Sequence, residues 1–225
     1  MLMINRFFRV IVLLAITMTL SWTSVAAAVS EEGFKDVDEN DAHYEGIMAL
    51  SEQGIINGYE DGTFQQWGEL SRQHAAVVLY KLLNQRTTME NDLDVDKVLD
   101  QYDDVDANSR YAHEIAFVTY AGIFNGHKNK FMPHKALSRE ELATILVTTF
   151  NLSEHDVDKQ VRINLDNVNP SHKSSVQTLA NLGFTNQLDD YRPQEATTRG
   201  SYATMLHLVQ TLLEEEYDDD GNKIQ

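Results

Sequence analysis

Cysteine is absent from the 225 residues. That excludes disulfides, thiolate zinc sites, a cysteine nucleophile and a lipid anchor on cysteine. Proline and glycine are scarce, at 3 and 11, too few for a collagen-like chain or a Pro-rich linker. Bases are in short supply: 18 Lys and Arg face 35 Asp and Glu, a net charge of −17. Nucleic-acid and anionic-lipid binders need a basic footprint, so neither partner is expected. The eight histidines form no pair at ligand spacing on one helix and no His-Glu-x-x-His, so neither metal nor cofactor is expected. What remains is ordinary globular material, 42% apolar and 24% charged. The length suits one or two domains at roughly 150 residues each.

Long apolar runs are confined to the start. Arg6 and Arg9 are the only charges before Glu31, the run from Val10 to Leu20 follows, and Ala26, Ala27 and Ala28 close the segment. A positive start, an apolar middle and a small-residue exit read as a signal peptide over residues 1–28, leaving no membrane attachment after cleavage. The alternative is a retained anchor, but the run falls short of the roughly 20 residues that span a bilayer. At the other end, Glu214 to Asp220 sets six acids around Tyr217, an acidic tail over 214–225.

The rest of the chain repeats. Ser71-Arg72, Ser138-Arg139 and Thr198-Arg199 mark three equivalent points. Phe64, Phe131 and Tyr191 precede them, and so do Gly54-Ile55-Ile56-Asn57-Gly58, Gly122-Ile123-Phe124-Asn125-Gly126 and Gly183-Phe184-Thr185-Asn186. Earlier still stand Phe34-Lys35-Asp36-Val37, Tyr102-Asp103-Asp104-Val105 and Leu165-Asp166-Asn167-Val168. Each repeat reads as helix, loop, helix. Ile47/Leu50, Ile115/Val118 and Val176/Leu179 give the first helix one apolar face. Gly54, Gly122 and Gly183 suit its left-handed exit. Ser71, Ser138 and Thr198 suit the N-cap of the second helix, and Ser138 with Glu141 forms a capping box. One such pair cannot bury its apolar face alone. The predicted fold is therefore mostly α: three pseudo-symmetric helix-loop-helix repeats, 33–86, 101–152 and 164–213, around a central three-helix bundle. Short connecting helices are expected over 92–99 and 153–161.

These pieces resemble the S-layer homology (SLH) domain of bacterial surface proteins. They are Phe34-x-Asp36-Val37, Gly54-Ile55-Ile56-x-Gly58-Tyr59-x-Asp61-Gly62-x-Phe64 and Ser71-Arg72, with Asp104-Val105, Gly122-Ile123-Phe124-x-Gly126, Phe131-x-Pro133 and Ser138-Arg139-Glu140-Glu141 in the second repeat. The resemblance implies a secreted, noncatalytic cell-wall anchor of a Gram-positive-type bacterium. It also implies that an anionic secondary cell-wall polysaccharide, often pyruvylated, sits in grooves between repeats, with the motif arginine touching the ligand. The candidate glycan-binding set is Arg72, Arg139 and Arg199, with Asp36, Asp104, Gly58, Gly126 and Tyr59 around them. The family's first-helix His-Trp pair is replaced by Asp41-Ala42, Ser109-Arg110 and Pro170-Ser171. The third repeat carries Asn167 for the Asp, Asn186 where the second Gly is expected, and Gly200-Ser201 after its Arg. A surviving site is therefore expected at Arg72 or Arg139 rather than at Arg199 alone. The alternative function is a structural or protein-interaction envelope module with decayed grooves and an envelope protein as partner.

Arginine at a helix start stands at the end that already carries positive partial charge. Free backbone N–H groups beside a guanidinium make a receptor for a carboxylate. The competing reading is an ion pair from the Arg to Asp36 or Asp104. Asp36-x-Asp38-x-Asn40 and Asp104-x-Asp106-x-Asn108 open like a calcium loop, but Asp41, Ile47, Ser109 and Ile115 hold the slots that need Gly and Glu. Asx turns are the expectation there. Tyr59 is placed either to stack on a sugar or to cover the core.

Overall fold

The computed structural model describes residues 33–84, 93–155 and 160–215. The expected signal peptide and most of the acidic tail lie outside the described residues. The elements are α1 (Tyr44–Glu52), α2 (Arg72–Asn84), α3 (Val95–Leu99), α4 (Ala112–Tyr120), α5 (Arg139–Thr149), a 3₁₀ turn η1 (Leu152–Glu154), α6 (Lys173–Asn181) and α7 (Arg199–Glu215). The fold is mostly α, as expected, and no strand forms among the described residues. Of the two expected connectors, the first is α3, capped by the Asp94 carboxylate. The second shrinks to η1, with residues 156–159 outside the described residues.

Local chemistry sets the helix ends. Gly54, Gly122 and Gly183 take φ of +70°, +71° and +75°. Behind them, Ile55, Ile123 and Phe184 donate back to the carbonyls of Leu50, Val118 and Leu179 at 2.9, 2.9 and 2.8 Å. These are Schellman closures, and the left-handed residue they need is glycine each time. Ser138 and Glu141 form the capping box at α5. Thr198 Oγ1 accepts from Ser201 N at 3.1 Å at the start of α7.

The apolar faces go where their spacing puts them. Ile47, Leu50, Ile115, Val118, Val176 and Leu179 are buried, and Leu79, Leu146, Leu206 and Val209 join them in one core. Deeper in that core Tyr202 of α7 donates its hydroxyl to Ala75 O of α2 at 3.1 Å. Burial pushes the Tyr202 phenol well above its ordinary value.

The tight helix pairings join neighbours in a cycle. The second helix of each unit packs on the first helix of the next: α2 on α4, α5 on α6, and α7 back on α1. The backbone repeats the cycle near the axis. Leu137 N donates to Leu70 O at 2.8 Å, Thr197 N to Leu137 O at 2.7 Å, and Leu70 N to Thr197 O at 2.8 Å. The last turn of the cycle is closest: a Cβ at Gly46 of α1 would stand 2.7 Å from Thr204 Cα and 2.9 Å from Thr204 N of α7. Only glycine lets those two backbones meet.

Candidate functional site

Each motif arginine crosses into the next unit. Arg72 Nε donates to Phe131 O at 2.8 Å, Arg139 Nε to Tyr191 O at 2.9 Å, and Arg199 Nε to Phe64 O at 2.9 Å. Arg72 Nη2 also reaches Asn125 O at 3.2 Å, and Arg199 Nη2 reaches Asn57 O at 3.1 Å. The rings of the same loops cover the guanidinium planes. Arg72 lies 5.0 Å from Phe124 and from Phe131, Arg139 4.9 Å from Tyr191, and Arg199 4.5 Å from Phe64 and 4.9 Å from Tyr59. Such cation–π contacts strengthen as water is excluded. Burial is the first cause lowering the pKa of all three arginines.

Two expectations are corrected here. The helix N–H groups are not free to receive a carboxylate. Arg72 N and Gln73 N donate to Lys135 O and Pro133 O, Arg139 N and Glu140 N to Glu195 O and Pro193 O, and Arg199 N and Gly200 N to Gly68 O and Gln66 O. Nor do the arginines spend their side chains on Asp36 or Asp104. Asp36 accepts from Phe64 N and Gln65 N at 2.7 Å each, and Asp104 from Phe131 N and Met132 N at 2.8 Å each. Gln65, Met132 and Arg192 all sit at positive φ, near +58°, +59° and +50°. That conformation is unfavourable for side chains of this kind. The carboxylate thus pins a strained main chain, and the carbonyl so presented takes the arginine.

Gly58 and Gly126 serve the same frame. A Cβ at Gly58 would strike the Phe34 ring, and one at Gly126 the Tyr102 ring. In the third unit Leu165 stands in the ring's slot. Counting four residues on from Gly183 places Gln187, not Asn186, opposite Gly58 and Gly126. The third unit thus lacks both the glycine and the ring; in the first two units a Cβ would also stand 2.7 Å from the carbonyl oxygen of Thr63 or Lys130. Asp38 Oδ1 accepts from Asn40 N at 3.0 Å and Asp106 Oδ1 from Asn108 N at 2.7 Å, which are Asx turns.

The crossing changes which groove is intact. Arg199, from the third unit, lines a groove of about 930 Å³ whose loop wall is Asn57, Gly58, Tyr59, Glu60 and Asp61 of the first. The opposite wall comes from α2 (His74, Lys81) and from the start of the second unit (Arg110, Tyr111, Glu114). Tyr59 is 44% exposed, open enough to stack on a ligand while its ring also covers Arg199. Burial, reinforced by Arg199, Arg110 and His134, lowers the His74 pKa. Lys81 is lowered by burial too, against the pull of Glu114. Arg72 is only 5% exposed and braces its loop from inside. Arg139 is half-buried against the third unit, where burial pushes the Tyr191 phenol up to about 12.

Sequence reasoning missed His74, Lys81, Arg110, Tyr111 and Glu114. Their chemistry does not recur between repeats: Arg110 falls where the others have Ala42 and Ser171, and Tyr111 where they have His43 and His172, so only the α2–α4 packing singles them out at the groove. Among the described residues no group of three or more His, Asp or Glu converges as for a metal, and no helix is long and apolar enough to cross a membrane.

The family comparison agrees with this frame. The S-layer homology domain profile matches residues 33–76 and 101–143. The chain is 29% identical over 167 residues to the surface-layer 125 kDa protein of Lysinibacillus sphaericus, covering 72% of this chain and 13% of that one. It is 28% identical over 200 residues to an S-layer protein of Bacillus licheniformis, covering 85% and 22%. A cellulosome-anchoring protein of Acetivibrio thermocellus matches at 25% over 158 residues, covering 68% and 34%. The chain thus spans only a minor part of the curated relatives it matches. The two matched segments are similar to the S-layer homology domain, and the relatives that share them are surface-layer and cellulosome-anchoring proteins.

Proposed function

We propose that this chain is a secreted, noncatalytic anchor that holds an anionic wall polysaccharide in the groove between the first unit's loop and Arg199. The observation that carries this reading is the crossing of Arg199. It places the third unit's arginine against the least altered loop, Gly58-Tyr59-x-Asp61-Gly62-x-Phe64. The groove offers what an acidic sugar chain needs: exposed Tyr59 for a ring face, Arg110 and Lys81 for an acidic group, and hydrogen-bonding main chain. Against a net charge of −17, recognition is local and short-ranged. The third unit, 164–213, is on this reading a divergent S-layer homology repeat that closes a three-fold cycle. Export through residues 1–28 puts the module at the wall of a Gram-positive-type bacterium. A pyruvylated sugar would supply the carboxylate.

The second reading, a structural or protein-interaction envelope module, is favoured by one observation: all three arginines commit Nε to main-chain carbonyls. Co-sedimentation with purified walls, before and after the polysaccharide is extracted, separates the two. The anchor reading expects binding that disappears with the polysaccharide. Binding that persists on extracted walls, or none to intact walls, favours the second.

A further inference from the structure

The dipeptide Asn-Gly occurs at the same place in two units: Asn57-Gly58 in the first and Asn125-Gly126 in the second. The third unit has Asn186-Gln187 there. Glycine has no Cβ to shield its main-chain nitrogen from the side chain of the asparagine before it. Both asparagines are exposed, and neither Gly58 N nor Gly126 N donates to a main-chain carbonyl among the described residues. Gln187 N, by contrast, donates to Thr185 Oγ1 at 3.3 Å. The neighbouring Asp61-Gly62 is tied as well, with Gly62 N donating to Tyr59 O at 3.0 Å.

Two cations act on Asn57. Arg199 Nη2 donates to its main-chain oxygen at 3.1 Å. That draws charge out of the Asn57–Gly58 peptide and eases loss of the Gly58 N proton. In the orientation that satisfies both ends of the side-chain amide, Nδ2 donates to Ile56 O at 3.0 Å and Oδ1 accepts from Lys81 Nζ at 3.0 Å. The ammonium thus stands at the oxygen where negative charge gathers when Cγ is attacked. Arg72 Nη2 plays the first part for Asn125, on its main-chain oxygen at 3.2 Å. The second part has no counterpart there. Thr148 stands in the slot of Lys81, and its hydroxyl turns back to Thr144 O at 2.7 Å.

We infer that Asn57 is a self-modification site: its side-chain amide cyclises onto Gly58 N with help from Lys81, and water opens the ring to an acid. Gly58 N gives up its proton and attacks Asn57 Cγ, and the electron pair of the C=O bond moves to Oδ1 beside the ammonium. On collapse the Cγ–Nδ2 bond breaks, and Nδ2 takes up the proton and leaves as ammonia. The product is a five-membered succinimide. Water then adds to one of its two carbonyls and breaks that carbonyl's bond to Gly58 N, leaving aspartate or isoaspartate. Nothing is oxidised or reduced. Either product sets a new carboxylate beside Lys81 and Arg199, so the local charge changes one way as the chain ages. Isoaspartate also adds a methylene to the main chain where room is short, since a Cβ at Gly58 would stand 2.7 Å from Thr63 O. The inference does not rest on the groove holding a glycan.

The test is peptide mapping by mass spectrometry of the full-length protein, kept folded in mildly alkaline buffer and sampled over days. Each conversion exchanges an amide for a carboxyl, which the spectrum resolves, and an isoaspartyl methyltransferase counts the isoaspartate share. Expected in the folded protein is conversion at Asn57 roughly 3- to 30-fold faster than at Asn125. In urea neither side chain keeps its cation, and the two rates should converge. Lys81→Met should bring folded Asn57 down towards the rate of Asn125, with unfolding curves confirming that the variant is folded. Three results overturn the inference: no conversion of Asn57 in the folded protein, equal folded rates at Asn57 and Asn125, or an unchanged Asn57 rate in folded Lys81→Met. The first two need only the wild type, and none of the three bears on wall binding through Arg199.

Discussion

Arg199 donates Nε to the carbonyl of Phe64 at 2.9 Å, across 135 positions of the chain. That contact joins the third unit to the first and does two things. It closes the cycle begun by Arg72 and Arg139, and it sets a cation in the groove beside Tyr59. The carbonyl is where it is because Asp36 holds Phe64 N and Gln65 N. The motif Asp and the motif Arg therefore act on the same residue from opposite sides, without pairing with each other.

Asp104 should matter to stability through this frame. Replacing it with Ala strands Phe131 N and Met132 N, the latter at positive φ. Two bonds to a carboxylate predict a loss of about 2–4 kcal/mol in urea unfolding. Asp38→Ala, which breaks an exposed Asx turn held through Asn40, should lose clearly less than Asp104→Ala. Equal losses would show that the pinned carbonyl is not what the carboxylate supports.

Closure of the cycle should be sensitive to one methyl group. Gly46→Ala drives a Cβ into the backbone of Thr204, where no side chain can move aside. The expected destabilisation is about 1–3 kcal/mol, read by thermal unfolding. Gly54→Ala adds no clash, since nothing lies within 4 Å of its Cβ position, and suffers only from its positive φ. A Gly46→Ala protein as stable as the wild type would contradict the α1–α7 contact.

Acid should loosen the same seam. His43 Nδ1 meets Thr204 Oγ1 at 2.9 Å, its ring lies 5.3 Å from Trp67, and Glu45 and His207 stand 3.7 Å apart nearby. Burial lowers the His43 pKa, with Asp41 pulling the other way, and burial lowers His74 as well. An unfolded histidine takes its proton near 6.5, before either folded one does. Protonation therefore favours unfolding: these two contribute fully above about pH 6.5, and stability falls as the pH drops through 6.5 towards their folded values. Carboxylates held low, such as Glu141, act only at more acid pH. Melting temperature should decline between about pH 7 and 5.5, and the decline should flatten in His43→Gln/His74→Gln. A rise on acidification, or an undiminished decline in the double variant, would contradict this.

The helices and their ends were legible because each rests on local chemistry. Ile47 and Leu50, the glycine exits and the Ser138 box need only their own neighbours. The site was half legible. The recurring Arg, Asp and Gly marked the right loops, but assigning each Arg to its own repeat left Arg199 as the weakest. Which loop an arginine reaches is decided by packing between units, and that is not written locally. The left-handed residues Gln65, Met132 and Arg192 carry no glycine or asparagine to announce them. They are held by Asp36 and Asp104, or in the third unit by the surrounding fold. Arg110 and Tyr111 enter the groove only because α4 packs on α2.

The most direct measurement is the affinity of folded Arg199→Ala for polysaccharide released from the wall, titrated beside the wild type and Arg72→Ala. Unfolding curves of the same samples separate lost binding from lost structure. The account predicts that Arg199→Ala weakens binding roughly ten- to a hundredfold, with little recovery in Arg199→Lys, whose ammonium cannot span two carbonyls and lie flat on two rings. Arg72→Ala should chiefly lower stability. Wild-type affinity in a folded Arg199→Ala protein would contradict the groove assigned to Arg199.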